Sequence, residues 1–184
     1  MKQSIYYFID KFQRNEIEKL NRKISIVYRN YKKKPDIDEI KSLVRFCKNQ
    51  FRKVYISNNL KIALNYNFDG VYIPSFNKLV KYKNLSKKNF ELIGSAHNIT
   101  EVFNKKNQGC SKIFLSPLFK NKKKKYFLDV IKFNLIKLNY LNDFISLGGI
   151  DSSNIRREKM CKSAGVASIS WVKKNGPSIN TGPF

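Results

Sequence analysis

Short runs of β-branched and aromatic residues recur along the chain, separated by longer stretches whose apolar positions step by three and four. The runs are "IYYFI" (5–9), "ISIVYRN" (24–30), "KVYIS" (53–57), "GVYIP" (70–74), "LIGSAH" (92–97), "KIFLSP" (112–117), "FISLGGI" (144–150) and "VASISWV" (166–172). They are too apolar for a sheet with one wet face, so they predict strands buried on both sides. Between them, "DIDEIKSLVRFCKNQF" (36–51) repeats Ile37, Ile40, Leu43, Val44 and Cys47 at helical spacing. Further helical patterns are "NLKIALNYN", "NITEVFNKKNQ", "FLDVIKFNLIKLNYLN" and "SSNIRREKMCKSA". The first two and the last of these open at Asn or Ser, residues that cap helix N-termini.

Strictly alternating strand and helix predict a parallel sheet. Eight strands in that order point to an α/β fold of the (β/α)₈ TIM-barrel type in one domain spanning 1–184, although the pattern alone separates this poorly from an open doubly wound sheet. The chain is short for a barrel, which typically needs roughly 200 residues or more. The segment after the fourth strand is brief, and after the eighth only "KKNGPSINTGPF" remains. A truncated barrel is therefore expected, its closing helix missing or replaced by a tail. The wall exposed at strand eight would be covered by that tail, ending in Phe184, or by a second subunit in a homodimer.

Composition narrows the partners. With 37 Lys and Arg against 13 Asp and Glu, the formal charge is +24, which favours polyanions, phosphorylated ligands or anionic surfaces. Thirty of the basic residues are lysine, and Asn and Ile are also abundant, a bias expected of AT-rich codons at permissive surface positions. The lysines are spread over all helical segments without a recognition motif, so no specific nucleic acid is expected. Three cysteines with no CxxC spacing, and a single histidine, support neither a zinc site nor a disulfide framework. No apolar run approaches the roughly 18 to 20 residues of a membrane span, and "MKQSIYYFIDKFQRN" turns charged too early for a secretory signal. A cytoplasmic protein without membrane attachment is expected.

In a parallel α/β fold, ligands bind where strands end. Those positions hold Arg29, Asn30 and Tyr31; Ser57 and Asn58; Ser75 and Asn77; Ser95, His97 and Asn98; Ser116 and the run "KNKKKK"; Gly148 and Gly149; Ser168 and Ser170. Ser95 and His97 are two apart, so they share a strand face. His97 suits a general acid or base, or a hydrogen-bonded structural imidazole. "LGGID" leads into Ser152, Ser153 and Asn154, a glycine turn before a helix N-terminus, where free N–H groups favour phosphate.

Several of these segments, in order over roughly residues 53–172, resemble the thiamine phosphate synthase and TenI superfamily. "VYISNNLKIALNYNFDGVYIP", "GSAHNITEV", "GCSKIFLSPLFKNKKKK", "SLGGID" and "AGVASISWV" are similar to successive family motifs. The resemblance implies a TIM barrel of thiamine biosynthesis and a transferase reaction. Hydroxymethylpyrimidine pyrophosphate and thiazole phosphate would be coupled to thiamine phosphate, releasing pyrophosphate. By position, Ser95 and Lys124 would hold the pyrophosphate, while Gly149, Ile169 and Ser170 would bind the thiazole phosphate. Arg29, Ser57, Asn121, Lys123 and Gly148 complete the implied substrate-binding set.

The family's acidic Mg²⁺ positions are occupied by Asn58 and Asn77, its strand-two lysine position by Tyr31 and its strand-four histidine by Tyr72. Magnesium is usually held by carboxylates, so a weakened Mg²⁺ site is expected. Lys122, Lys123, Lys124 and Lys125 would supply the missing positive charge as point charges. The TenI branch implies an alternative, a thiazole tautomerase in which His97 moves the proton. A non-catalytic barrel binding a phosphate ester is a third.

Overall fold

The alternation within each short run separates two cores in the computed structural model, which describes residues 4–31, 34–82, 85, 89–121 and 126–175. Eight strands, β1 (Ser4–Ile9), β2 (Ile24–Tyr28), β3 (Val54–Ser57), β4 (Gly70–Ile73), β5 (Glu91–Ala96), β6 (Lys112–Leu115), β7 (Asp143–Leu147) and β8 (Gly165–Ala167), lie side by side in chain order. All pair in parallel, and β8 returns to β1 through Ser4↔Gly165, Ile5↔Val166 and Tyr6↔Ala167, closing the barrel. The expected (β/α)₈ architecture is present.

Successive residues of a strand face opposite sides. Tyr6 and Phe8 of β1, Val27, Tyr55, Tyr72, Ile93, Phe114, Ile145 and Ala167 form the interior cluster. Phe114 lies at its centre, with ring centroids 4.9 Å from Tyr6, 5.8 Å from Phe8 and 5.7 Å from Tyr72, each edge to face. Aromatic residues fill much of an interior in which branched aliphatic side chains usually dominate. The alternate residues, such as Ile26, Val54, Val71 and Ile113, pack outward under the helices.

Helices α1 (Arg14–Glu18), α2 (Ile37–Asn49), α3 (Leu60–Asn65), α4 (Ile99–Asn107), α5 (Asp129–Leu138), α6 (Ile155–Glu158) and α7 (Ser170–Asn175) follow the strands, with a 3₁₀ turn (Val80–Tyr82) after β4. Asp36, Asn59 and Asn98 cap α2, α3 and α4 by accepting backbone N–H groups. Arg52, fully buried between α2 and β3, donates to the carbonyls of Ile17, Leu20, Asn21 and Ile24, closing the end of α1 and the entry to β2.

Two segments differ from the pattern. The run 166–172 remains extended only to Ala167, because Ser168 Oγ accepts the Trp171 N–H (3.1 Å) and turns the chain into α7. Trp171 and Val172 stay buried as helix residues, so the expected truncation is a shortened closing helix; residues 176–184 lie outside the described set. The helical pattern at 152–164 condenses to the four residues of α6.

At the N-terminal end of the barrel, Glu91 of β5 reaches inward. It accepts from Lys112 (2.5 Å), Lys53 and the Tyr55 hydroxyl (3.2 Å). Burial alone would raise its pKa, but the two ammonium groups outweigh burial and hold the carboxyl below its usual value. A depressed folded pKa adds stability that is complete above the unfolded value and lost as pH falls through the folded one. Urea unfolding should therefore show wild type more stable than Glu91→Gln at pH 7, with the difference shrinking as pH is lowered through the carboxylate range.

Candidate functional site

The C-terminal rim gathers its polar groups in two places. On the β7–β8 side, Gly148 and Gly149 adopt φ of +88° and +73°, a region glycine occupies without strain. "SPLF" runs against this turn, with Leu118 N–H donating to Leu147 O (2.8 Å) and Phe119 N–H to Gly148 O (3.1 Å). A Cβ on Gly149 would lie 2.3 Å from the Phe119 carbonyl oxygen, so no side chain fits there. The Ile150 carbonyl accepts from Ser168 Oγ (2.8 Å) and Ser170 Oγ (3.4 Å), tying the β7 loop to the start of α7. The backbone N–H groups of Gly149, Ile169 and Ser170 find no acceptor among the described residues. Unsatisfied N–H groups at a glycine turn and a helix start are suited to phosphate oxygens.

On the β2–β5 side, the Arg29 guanidinium sits 4.6 Å above the Phe8 ring and forms no ion pair among the described residues. The buried Tyr72 hydroxyl is within hydrogen-bonding reach of Ser95 and Arg29. Burial pushes its pKa up to about 12, which keeps it a donor at neutral pH. Tyr31 stands edge to face with Phe76, and its hydroxyl meets Ser57 Oγ at 2.8 Å. His97 lies just past the end of β5, in the bend before α4, rather than on the strand with Ser95. Its N–H donates to Glu101 Oε2 (2.7 Å) and its Nδ1 contacts the Ser116 carbonyl, which can only accept. The proton of a neutral ring is therefore on Nδ1, and Nε2 is its basic atom.

Asn58 and Asn77 come together. Asn77 Nδ2 donates to Asn58 Oδ1 (2.6 Å) and to the Tyr82 hydroxyl (3.2 Å), while Asn77 Oδ1 accepts Leu79 N–H (2.9 Å). The last bond fixes the amide orientation, since a flipped amide would set two donors against each other. Both carbonyl oxygens that a metal would need are thus already accepting hydrogen bonds. Among the described residues, no group of three His, Cys, Asp or Glu is placed to hold a metal ion. Two neutral, internally satisfied amides do not fit Mg²⁺, a hard cation that keeps carboxylate ligands.

Beneath this pair lies a residue absent from the sequence-based candidates. Lys105 of α4 is fully buried, and its Nζ donates to Pro74 O (2.7 Å), Asn77 O (2.7 Å) and Gln108 Oε1 (2.8 Å). Gln108 Nε2 in turn holds Asn77 O and Leu79 O, each at 2.9 Å. Burial lowers the ammonium pKa to about 8, and the group remains largely charged at pH 7. Its stem crosses β5 at Gly94, where a Cβ would lie 2.7 Å from Lys105 Cδ and 2.9 Å from Cys110 Sγ. The available signal was Val102, Lys105 and Gln108 at three-residue steps on an inward helix face, together with a glycine inside a strand run. Asn121 is half-buried on the β6 loop; Lys123 and Lys124, with Lys122 and Lys125, lie outside the described residues.

A family model described as thiamine monophosphate synthase, TMP-TENI, matches residues 17–172. The chain belongs to this family. A thiamine-phosphate synthase of Prochlorococcus marinus (strain SARG / CCMP1375) is 29% identical over 155 residues, covering 81% of this chain and 45% of that protein. Its counterpart in strain AS9601 is 24% identical over 159 residues, covering 83% and 41%. The chain therefore spans less than half the length of these curated relatives. Among solved structures, thiamine phosphate pyrophosphorylase from Pyrococcus furiosus superposes with a TM-score of 0.73 at 16% identity, covering 90% of this chain and 85% of that one. FabK from Thermotoga maritima gives 0.69 at 10% identity, covering 91% and 58%. At these identities the superpositions bear on the fold. No helix among the described residues is long and apolar enough to cross a membrane.

The Lys105 crossing gives a stability test within this family member. Gly94→Ala should destabilise by about 1–3 kcal/mol through overpacking. Adding Lys105→Ala should recover part of that loss in a double-mutant cycle of urea unfolding, because the stem that clashes is then gone.

Proposed function

We propose that the chain is a thiamine-phosphate synthase joining hydroxymethylpyrimidine pyrophosphate to thiazole phosphate. What supports this reading is two separate sets of donors on one rim. Gly149, Ile169 and Ser170 offer three backbone donors at one, and Arg29 offers a cation without a carboxylate partner at the other. A reaction between two phosphorylated substrates requires both.

In this mechanism the bond between the pyrimidine methylene carbon and the pyrophosphate oxygen breaks, and pyrophosphate leaves with the electron pair. The thiazole nitrogen then donates its lone pair to the methylene carbon, forming the C–N bond of thiamine phosphate. Arg29 takes up charge on the leaving pyrophosphate, with Ser95 and Tyr72 arranged around it by hydrogen bonding. Lys124 of the β6 loop, outside the described residues, is assigned to the same anion by its position in the family motif. The backbone donors hold the thiazole phosphate, so that its ring nitrogen is delivered in one orientation. No step is assigned to magnesium, because Asn58 and Asn77 do not fit it.

Purified protein incubated with both substrates should form thiamine phosphate, detected after oxidation to its fluorescent thiochrome. Absence of product with and without Mg²⁺ would end the synthase reading. Gly149→Ala should raise the KM for thiazole phosphate at least about tenfold while leaving that for the pyrimidine pyrophosphate nearly unchanged, since it displaces a donor on one side only.

One observation favours a second reading: Nδ1 of His97 is committed to the Ser116 carbonyl, leaving Nε2 to accept a proton. A tautomerase acting on a thiazole carboxylate phosphate would use that atom. Such activity in the wild type, lost in His97→Ala by about 10²-fold or more, would establish it. If thiazole phosphate raises the melting temperature but neither reaction proceeds, the barrel binds phosphate esters without catalysis.

A further inference from the structure

The Asn58–Asn77 pair and the buried Lys105 belong to one hydrogen-bonded unit. Asn77 connects them: its side chain donates to Asn58, and its carbonyl receives both the Lys105 ammonium and Gln108. The pair contributes no negative charge, and the residue below it contributes a positive one. A divalent cation placed between the two amides would displace a 2.6 Å hydrogen bond and meet a like charge in a weakly screened interior.

Two of the ammonium's three acceptors have other donors, and only Gln108 Oε1 depends on it. Pro74 O also receives Asn77 N–H (3.1 Å), and Asn77 O also receives Gln108 Nε2 (2.9 Å). An uncharged side chain of similar length would fill the same channel past Gly94 without the desolvation that a buried charge incurs. What such a side chain would lack is the positive potential at the rim.

We propose that this rim is a metal-free oxyanion site. The fixed Lys105 ammonium, set beneath Asn77, supplies the positive charge that a bound divalent cation would bring, and the site takes free pyrophosphate in preference to its magnesium complex. Lys105 acts as a positioning residue: it touches no ligand, braces the loop at 74–79, and adds its field to that of Arg29. The proposal rests on the reading of the β2–β5 rim as the pyrophosphate side of the active site.

Isothermal titration of the full chain with inorganic pyrophosphate, in EDTA and in excess Mg²⁺, tests it. The expected result is binding in EDTA at least as tight as in Mg²⁺. Lys105→Met should weaken binding in EDTA roughly tenfold or more, the effect of one unit charge about 12 Å from one anionic charge at an effective dielectric near 20. It should still unfold in one cooperative transition, with a melting temperature lowered by no more than the loss of the single donor to Gln108 Oε1 implies, which separates loss of charge from loss of fold. Mn²⁺ titration followed by electron paramagnetic resonance should show no ion bound by wild type, and a bound ion in the triple variant Asn58→Asp, Asn77→Asp, Lys105→Met. Pyrophosphate binding that requires Mg²⁺, or stoichiometric Mn²⁺ binding by wild type, would overturn the metal-free assignment while leaving the synthase reading intact. Binding in neither condition would overturn this assignment together with the pyrophosphate side of that reading.

Discussion

Closure of the sheet is the constraint on which the other features depend. With Ser4, Ile5 and Tyr6 paired to the three residues of β8, no strand has a free edge, and every inward side chain must fit a space of fixed width. Large aromatic side chains share that space with smaller ones such as Val27 and Ala167. Phe114, touching Tyr6, Phe8 and Tyr72, fills the centre; Glu91 with Lys53 and Lys112 closes the N-terminal end. The opposite rim holds Ser95 near the end of β5, with Arg29 and His97 just past the ends of β2 and β5.

Most of this framework could be read from the residues because it rests on periodicity. Strand residues alternate, helix residues step by three and four, and both patterns survive in the linear order. The rim was legible for the same reason, since strand ends follow from strand positions. Two parts were not. The turn at Ser168, which ends β8 early, depends on a hydroxyl accepting a particular N–H, and "VASISWV" reads as extended without that bond. Lys105 was hidden by composition: in a chain with 30 lysines, one more in "NKKNQ" carries no signal unless its helix face is counted.

Gly94 illustrates how such a residue becomes visible once packing is known. A glycine within a strand weakens it and needs a reason. The reason is the Lys105 stem, which passes where a Cβ would stand, so the two residues form a single device split across β5 and α4. The same device reaches Asn77 through its carbonyl and Asn58 through Asn77. A substitution at a strand position and a change of charge at the rim are thus connected by hydrogen bonds and van der Waals contact rather than by sequence proximity.

The two halves of the rim carry their positive groups differently. On the β7–β8 side the positive ends are backbone dipoles, preorganised by the glycine turn and by the Ile150 carbonyl that fixes Ser168 and Ser170. They carry no net charge and suit a group of modest charge whose orientation matters. On the β2–β5 side the positive groups are full charges, Arg29 at the surface of the Phe8 ring and Lys105 below Asn77; the amides between them are neutral, and the Glu101 carboxylate offsets part of the Lys105 charge. A recruited cation would make the positive charge depend on metal concentration; a buried ammonium is a fixed property of the fold. Desolvation then bears on Lys105 at all times rather than only when ligand is present, and the acceptors at Pro74, Asn77 and Gln108 offset it in both states.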